Sequence, residues 1–307
     1  MGHDHGHDHT HGANKKALTI SFIITTTYMI IEAIGGFFTN SLALLSDAGH
    51  MLSDSISLGV GVLAFIMGEK MANHSKTYGY KRFEILAALF NGITLVIIAG
   101  YVLYEGIQRF TSPATVASTG MLIIATIGLL VNVTVAWILM RGDTEENLNL
   151  RAAFLHVLGD MLGSIGAILA ALLIMLFQWE WADPLASMIV AVLILISGFR
   201  VAKDAIHVLM EGTPKSIVLD DIIATIESVS GIESIHDLHV WSITSGQNAL
   251  SCHAVVDDKL TIHDSQALLR TIEHKLAHKG IGHVTIQMEN ISHPHNNTLM
   301  CQQQDEH

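Results

Sequence analysis

The chain has 307 residues, of which half are apolar and only 14% carry a formal charge. An ordinary soluble protein has about 25% charged residues, so the composition argues against a soluble enzyme and favours a membrane protein in contact with the lipid bilayer. The formal net charge of −12 also argues against nucleic acid as a partner, because phosphate binding requires clustered Lys and Arg.

Histidine is unusually frequent, with 19 residues, and the chain begins MGHDHGHDHTHGANKK. Histidine is the commonest protein ligand for transition metals and titrates near neutral pH, so metal or proton chemistry is the first functional hypothesis. The start of the chain has no apolar segment and is therefore not a secretory signal peptide. Residues 1–16 are predicted to form a cytoplasmic arm that binds metal without folding; a weakly binding, unstructured arm is an equal alternative.

Six apolar segments follow, each close to the roughly 20 residues that cross about 30 Å of hydrocarbon. They cover residues 17–38, 44–67, 85–107, 121–140, 152–177 and 184–202. Lys and Arg in the flanking loops lie almost entirely on the side of the N-terminal arm, so both termini are predicted to be cytoplasmic. Residues 17–211 are therefore predicted to form an all-α six-helix transmembrane domain of a multi-pass protein. A bacterial inner membrane is the expected location, with a vesicle membrane as the alternative.

Hydropathy falls after residue 211, where a second, cytoplasmic domain is predicted over residues 212–292, with a polar tail at 293–307. Helical periodicity covers residues 216–229 and 263–278, and strand patterns cover 233–244, 248–256 and 283–289. Ser245, Gly246 and Gln247 give the signal for a hairpin between the first two strands. The order α-β-β-α-β predicts a small open α+β sandwich.

Two of the predicted spans contain the same polar pair, His50 with Asp54 and His156 with Asp160. A spacing of four residues places both side chains of a pair on one helix face. An Asp inside a span costs about 2.5–3.5 kcal/mol, so such residues are functional candidates by default. Two imidazoles and two carboxylates are ligands that Zn²⁺ accepts in a tetrahedron. The alternative, a hydrogen-bonded strut between helices, fits one pair better than two.

An enzyme is not predicted. Met51 and Val157 follow the two histidines, where an intramembrane metalloprotease of the HExxH type would have a general base. The alternative from another class is a membrane zinc sensor that binds metal without transporting it. Such a sensor would not need the duplicated pair within the spans, so a transporter is the preferred prediction.

The sequence SLALLSDAGHMLSD, from Ser41 to Asp54, resembles the signature of the cation diffusion facilitator family. The resemblance extends over almost the whole chain and implies a homodimeric antiporter that exports Zn²⁺, and also Cd²⁺ or Co²⁺, in exchange for protons. The set His50, Asp54, His156 and Asp160 resembles the transport site of the zinc branch. The resemblance also implies a metallochaperone-like fold for the second domain.

Further ligands are implied by the same resemblance in the second domain, where zinc would be a regulatory ligand. The positions are His236, His253 and Glu289, with His283 as an additional candidate. The alternative is that these histidines are merely solvated. Arg82 and Glu211 correspond to an opposite-charge pair that, in the family, connects the spans to the cytoplasmic domain.

Overall fold

The computed structural model describes residues 7–68, 73–112, 114–140 and 148–290, without the side chains of residues 7–19, 54, 57–68, 148–156 and 159. Six long helices come first: α1 His7–Thr39, α2 Leu42–Gly68, α3 Phe83–Thr111, α4 Ser118–Met140, α5 Leu148–Phe177 and α6 Ala182–Leu209. The C-terminal elements are α7 Leu219–Glu227, β1 Ile232–Thr244, β2 Gln247–Val256, α8 Ile262–Ala277 and β3 Ile281–Glu289. This is the predicted order of elements.

Five segments within the described residues are long and apolar enough to cross a membrane. They are Ile20–Thr39, Phe83–Thr111, Ser118–Met140, Asp160–Phe177 and Ala182–Leu209. α2, with 27 residues, also exceeds the roughly 20 that a span requires. The described part of the chain therefore has the helices of a multi-pass membrane protein.

The first helix begins earlier than the sequence predicts. Its backbone is helical from His7, so the prediction of an unfolded arm is wrong for residues 7–16. Residues 1–6, which include His3 and His5, lie outside the described part of the chain. Helical hydrogen bonds continue through polar sequence once a long apolar helix supplies the nucleus, because adding a residue is much easier than starting a helix.

The chain divides into two compact units, Met1–Gly61 with Phe90–Ala202, and Val62–Leu89 with Lys203–His307. The second unit therefore contains the end of α2 and the start of α3 as well as the C-terminal elements, whereas the sequence predicted a boundary at residues 211 and 212. One reason lies at the first turn of α3. The Glu84 carboxylate accepts hydrogen bonds from the hydroxyls of Thr244 at 2.7 Å and Ser245 at 2.9 Å, and no local pattern encodes these contacts.

Small residues bring the helices of the first unit close together. α4 packs along α5 and also along α1, and Ala125, Ala167 and Ala171 lie buried between helices. A Cβ atom at Gly128 would lie 2.2 Å from the Tyr28 hydroxyl oxygen. Small side chains of this kind permit close helix packing in a bilayer, where no hydrophobic effect drives association.

The beginning of α2 is held by a buried carboxylate from α6. Asp183 accepts hydrogen bonds from the Ser41 hydroxyl at 2.6 Å and from the Leu42 backbone N–H at 2.9 Å. A carboxylate at this end of a helix satisfies backbone donors that have no partner within the helix and interacts favourably with the helix dipole. The contact fixes the start of the helix that carries His50.

The C-terminal elements of the second unit form the predicted α+β arrangement. The sheet order is β1-β2-β3, with β1 antiparallel and β3 parallel to β2. Gly246, at the hairpin turn, has φ +73°, a conformation that glycine adopts without strain. The apolar sides of α7 and α8 pack on the sheet around a common buried core that includes Ile222, Ile226, Ile272 and Leu276.

Candidate metal centres

A partly buried polar contact joins α2 to α5. The His50 Nε2 and Asp160 Oδ1 atoms are 3.8 Å apart, and the side chains are 25% and 4% exposed. Buried charged side chains are costly unless paired or bound to a metal, and imidazole nitrogen and carboxylate oxygen are both zinc ligands. The structure thus brings together one residue from each of the two predicted pairs.

The other two predicted transport ligands, Asp54 and His156, lie outside the described side chains. Their backbones are described, and each occupies a helix already identified, α2 for Asp54 and α5 for His156. In an α-helix, residues four apart lie one turn apart on the same face. The helices that carry the predicted four ligands therefore meet at the His50–Asp160 contact.

A second carboxylate of α2, Asp47, is buried beside α5. It is 3% exposed, and a Cβ atom at Gly163 would lie 2.8 Å from its Oδ1 atom. Gly163 follows Asp160 by three residues and so lies near it on the helix. The absence of a side chain at Gly163 gives the Asp47 carboxylate room next to the candidate centre.

Glu32, on α1, adds another acidic group to the interior of the first unit. It is 1% exposed and accepts a hydrogen bond of 3.0 Å from the Tyr28 hydroxyl. Asn91 is also buried and accepts a hydrogen bond from Ser53, so this polar side chain faces the helix bundle.

A compact cluster of potential ligands lies on the C-terminal sheet. His236, His253 and Glu289 offer ligand atoms within 4.8 Å of one another. The His253 Nδ1 atom is 2.7 Å from Glu289 Oε1, and the His236 Nε2 atom is 3.3 Å from Glu289 Oε2. His236 and Glu289 are each 5% exposed. Two imidazoles and one carboxylate leave a fourth tetrahedral position for water or another ligand.

Strand register explains why these three side chains converge. His236 of β1 pairs directly with His253 of β2, and Glu289 of β3 pairs with Val255. His283 pairs with Ala249 instead and contacts the Tyr78 ring. The structure does not group His283 with the other three predicted ligands, because six residues of extended strand separate it from Glu289 and correspond to about 20 Å.

Two residues that the sequence did not identify as candidates lie next to this cluster. The β1–β2 register shifts between His236 and His239, and Asp237 has φ +50°. Its carboxylate oxygens lie 3.1 Å from His239 Nε2 and 3.7 Å from His253 Nε2. A bulge of this kind re-aims side chains, and no periodic pattern in the sequence signals it.

The predicted opposite-charge pair is also present. The Arg82 Nη2 and Glu211 Oε1 atoms are 3.2 Å apart, and both residues belong to the second unit. Their side chains are 39% and 65% exposed, so water screens the attraction. An exposed pair of this kind contributes about 0–1 kcal/mol.

Comparisons with known proteins cover nearly the whole chain. Residues 18–210 match the family model described as the cation efflux transmembrane domain, and residues 214–291 match the cation efflux protein, cytoplasmic domain. The chain is 67% identical over 298 residues to the cadmium, cobalt and zinc/H(+)-K(+) antiporter of Bacillus subtilis (strain 168), covering 97% of this chain and 96% of the relative. It is 40% identical over 294 residues to zinc transporter ZitB of Escherichia coli (strain K12), covering 94% of this chain and 93% of the relative.

Among solved structures, the metal-bound C-terminal domain of the CzcD transporter of Cuprividus metallidurans matches with 36% identity and a TM-score of 0.22, over 24% of this chain and 99% of that one. The two family models divide the chain near the point at which the hydropathy falls. The two family models and the full-length relatives agree with a helical membrane domain followed by a separate C-terminal domain. The chain therefore belongs to the cation efflux, or cation diffusion facilitator, family of membrane metal transporters.

Proposed function

We propose that this protein exports Zn²⁺, and also Cd²⁺ and Co²⁺, from the cytoplasm in exchange for protons. The transport ligands are His50 and Asp54 on α2 and His156 and Asp160 on α5. The observation that carries the proposal is the contact between His50 and Asp160, which joins the two helices that bear the repeated His–Asp pairs. The name of the Bacillus subtilis relative, which specifies cadmium, cobalt, zinc, H⁺ and K⁺, and that of the Escherichia coli zinc transporter support this set of substrates.

Exchange follows from the chemistry of the ligands. A metal ion binds neutral imidazole and ionised carboxylate, so loading the centre releases protons and protonation releases the metal. The same four side chains therefore hold either a metal ion or protons. Occupancy by one excludes the other, which is the basic requirement of an antiporter.

Alternating access requires only that the ligand helices tilt relative to each other. All backbone hydrogen bonds of a helix are internal, so α2 and α5 change their angle without breaking them. Moving a divalent ion out against about 100 mV, inside negative, costs about 4.6 kcal/mol, and one entering proton returns about half of this. A second proton or a pH gradient supplies the remainder.

Both termini and the second domain face the cytoplasm, and the membrane is a bacterial inner membrane. The basic residues of the loops support this orientation, because Lys and Arg are retained on the cytoplasmic side. The chain functions as a homodimer. The family model matched by residues 214–291, named ZT_dimer, supports assembly through the second domain.

The cluster of His236, His253 and Glu289 binds zinc as a regulatory ligand. Its geometry supports this role, since three potential ligand atoms converge within 4.8 Å. Metal bound there changes transport only if it binds the two transport conformations with different affinity. A membrane sensor without transport activity has no support from the relatives, whose names describe antiport and transport.

Zinc uptake into everted membrane vesicles tests the transport proposal. With an acidic vesicle interior, the parent protein should accumulate zinc, and a protonophore should abolish accumulation. Asp160→Asn should reduce the initial rate by about a hundredfold or more, because an amide cannot exchange a proton for a metal ion. His263→Gln, at an exposed position on α8, is the control and should retain the parental rate.

Potassium can be tested in the same vesicles, because the name of the Bacillus subtilis relative includes K⁺ as well as H⁺. An imposed K⁺ gradient without a pH gradient should drive zinc uptake if potassium is also a counter-ion.

Parental uptake by the Asp160→Asn protein under a pH gradient would overturn the proposed transport site.

A further inference from the structure

A pair of histidines lies at the end of α8, outside the centres described above. His274 and His278 are separated by four residues, their ring centroids are 4.7 Å apart, and the rings meet edge to face. Both side chains are exposed to solvent. Neither residue belongs to the His236–His253–Glu289 cluster, and the proposed transport mechanism uses neither of them.

The backbone geometry suits binding of one ion by both rings. Residues four apart on a helix present their side chains on the same face, and His278 has helical torsion angles, φ −67° and ψ −18°. Two nitrogens bound to one tetrahedral ion at about 2.0–2.1 Å lie about 3.3 Å apart. Rings whose centroids are already 4.7 Å apart reach this separation by rotating their side chains, without movement of the helix.

The helix end that carries the pair is fixed by several contacts. The backbone N–H groups of Lys279 and Gly280 donate to the carbonyls of Leu276 and Ala277, at 2.9 and 3.0 Å. Lys275 donates to the Ser228 hydroxyl at 3.0 Å. The two rings are therefore presented from a defined final turn, which reduces the entropy lost when both bind the same ion.

The two lysines nearest the pair make contacts with a neighbouring segment. The ammonium group of Lys279 lies 4.0 Å from the Asp221 carboxylate, and that of Lys275 is directed to Ser228 of the same neighbouring segment. The Lys279 side chain is thus held toward α7, and the Lys275 side chain toward Ser228, the residue that follows α7. Arg270 and Glu273, of opposite charge, line a surface pocket with His274. The C-terminal end of a helix carries partial negative charge, which attracts cations.

We propose that His274 and His278 form a second metal site of the C-terminal domain, which chelates one divalent transition-metal ion. Two imidazoles occupy two coordination positions, and water molecules complete the shell because the site is exposed. Imidazole ligands suit Cu²⁺, Ni²⁺ and Zn²⁺, and for a given site Cu²⁺ binds most tightly of these. Because the site lies at the surface, the bound metal ion exchanges readily with free ions in solution.

Metal binding to the full-length protein in detergent tests the site. Equilibrium dialysis against Ni²⁺ should show one fewer bound ion per chain in His274→Gln and in His278→Gln than in the parent. Loss of either ring removes the chelate, and the affinity of the site should fall by about a hundredfold or more. Cu²⁺ added at one ion per site should give an electron paramagnetic resonance spectrum with nitrogen couplings that both variants alter.

Two control variants identify the source of any change. His263→Gln changes an exposed histidine of the same helix and should keep the parental number of ions. His253→Gln should reduce binding at the other cluster while leaving the two-nitrogen signal of His274 and His278 intact. All variants retain the N-terminal histidines, so their contribution cancels. An unchanged ion count and an unchanged Cu²⁺ spectrum in both His274→Gln and His278→Gln would overturn the proposal.

Discussion

The intramembrane candidate centre and the cluster on the C-terminal sheet use the same kinds of ligand on different supports. In the first, His50 and Asp160 come from separate helices and lie 3.8 Å apart. In the second, His253 and Glu289 come from adjacent strands and lie 2.7 Å apart. Strands joined by a hydrogen-bonded ladder keep a fixed register, whereas helices that satisfy their own backbone groups can change angle.

This difference suits the two centres to different tasks. A transport site must open to each side in turn, which ligands on separate helices permit. A regulatory site must hold its ion while the transporter moves, which ligands on one sheet permit. Reversible release is therefore expected of the helical centre and tighter retention of the sheet cluster.

The largest change in zinc affinity that would test this comparison is expected at Glu289. Its two carboxylate oxygens face both histidines of the cluster, so Glu289→Gln removes the negative charge of the proposed metal site. Zinc affinity of the cluster should fall by about 10- to 100-fold, which corresponds to about 1.4–2.8 kcal/mol. Isothermal titration of the full-length protein measures this change.

The same variant should still show zinc uptake driven by a pH gradient, since the intramembrane ligands remain. Gln287→Ala is the matched control, because Gln287 carries no charge and donates a hydrogen bond of 2.6 Å to Glu289. A loss of gradient-driven uptake equal to that expected for Asp160→Asn would contradict the separation of the two centres.

Much of this comparison could be predicted from sequence because both supports have a strong period. Long apolar segments indicate spans, and the alternating strands indicate which residues share a face. The repeated spacing of His50–Asp54 and His156–Asp160 predicted that α2 and α5 meet. His236, His253 and Glu289 were identified through a family resemblance, and the sheet register explains their convergence.

The features that the sequence missed depend on long-range geometry. Asp183 accepts hydrogen bonds from residues more than 100 positions earlier in the chain, and no local pattern encodes that pairing. His283 was an additional candidate through the same family resemblance, but six residues of extended strand separate it from Glu289. Asp237 was missed as a neighbour of the cluster because a bulge cannot be recognised from alternation alone.

A smaller effect, on stability and transport, is expected where Gly163 of α5 lies close to the Asp47 carboxylate of α2. A methyl group at Gly163 would lie 2.8 Å from Asp47 Oδ1, so Gly163→Ala should displace the carboxylate or separate α5 from α2. We expect a loss of about 1–3 kcal/mol in stability, typical of overpacking, and slower transport. Thermal unfolding in detergent and vesicle uptake measure the two effects.

Gly166 provides the control for that substitution. It lies on the same helix, three residues further along, and nothing lies within 4 Å of a Cβ atom there. Gly166→Ala should therefore keep the parental uptake and stability, or gain slightly from the higher helix propensity of Ala. Equal losses from both substitutions would show that α5 tolerates no added volume and that the approach of Asp47 is not the cause.

A change at Cys252 is expected to have the smallest effect on zinc binding near neutral pH. Cys252 adjoins His253 on β2. Successive strand residues point to opposite faces, so Cys252 lies in the core, 2% exposed, although thiolates are good zinc ligands. Burial, with a contribution from the nearby charge of Asp237, raises the pKa of its thiol to about 12. The neutral thiol therefore contributes to the stability of the folded protein. This contribution is fully present below about pH 9 and is lost as the pH rises through about 12.

Cys301 is the other cysteine of the chain and is replaced so that only Cys252 reacts. In this Cys301→Ala background, the native protein should react with iodoacetamide at pH 8 about a hundredfold or more slowly than the unfolded protein, because the reactive thiolate is scarce and buried. Zinc should not change this rate, since the thiol faces away from the cluster. Protection of Cys252 by zinc would instead place the thiol among the ligands and remove the distinction between the two faces of the strand. Above pH 9, stability should fall more steeply in this protein than in the corresponding Cys252→Ala variant.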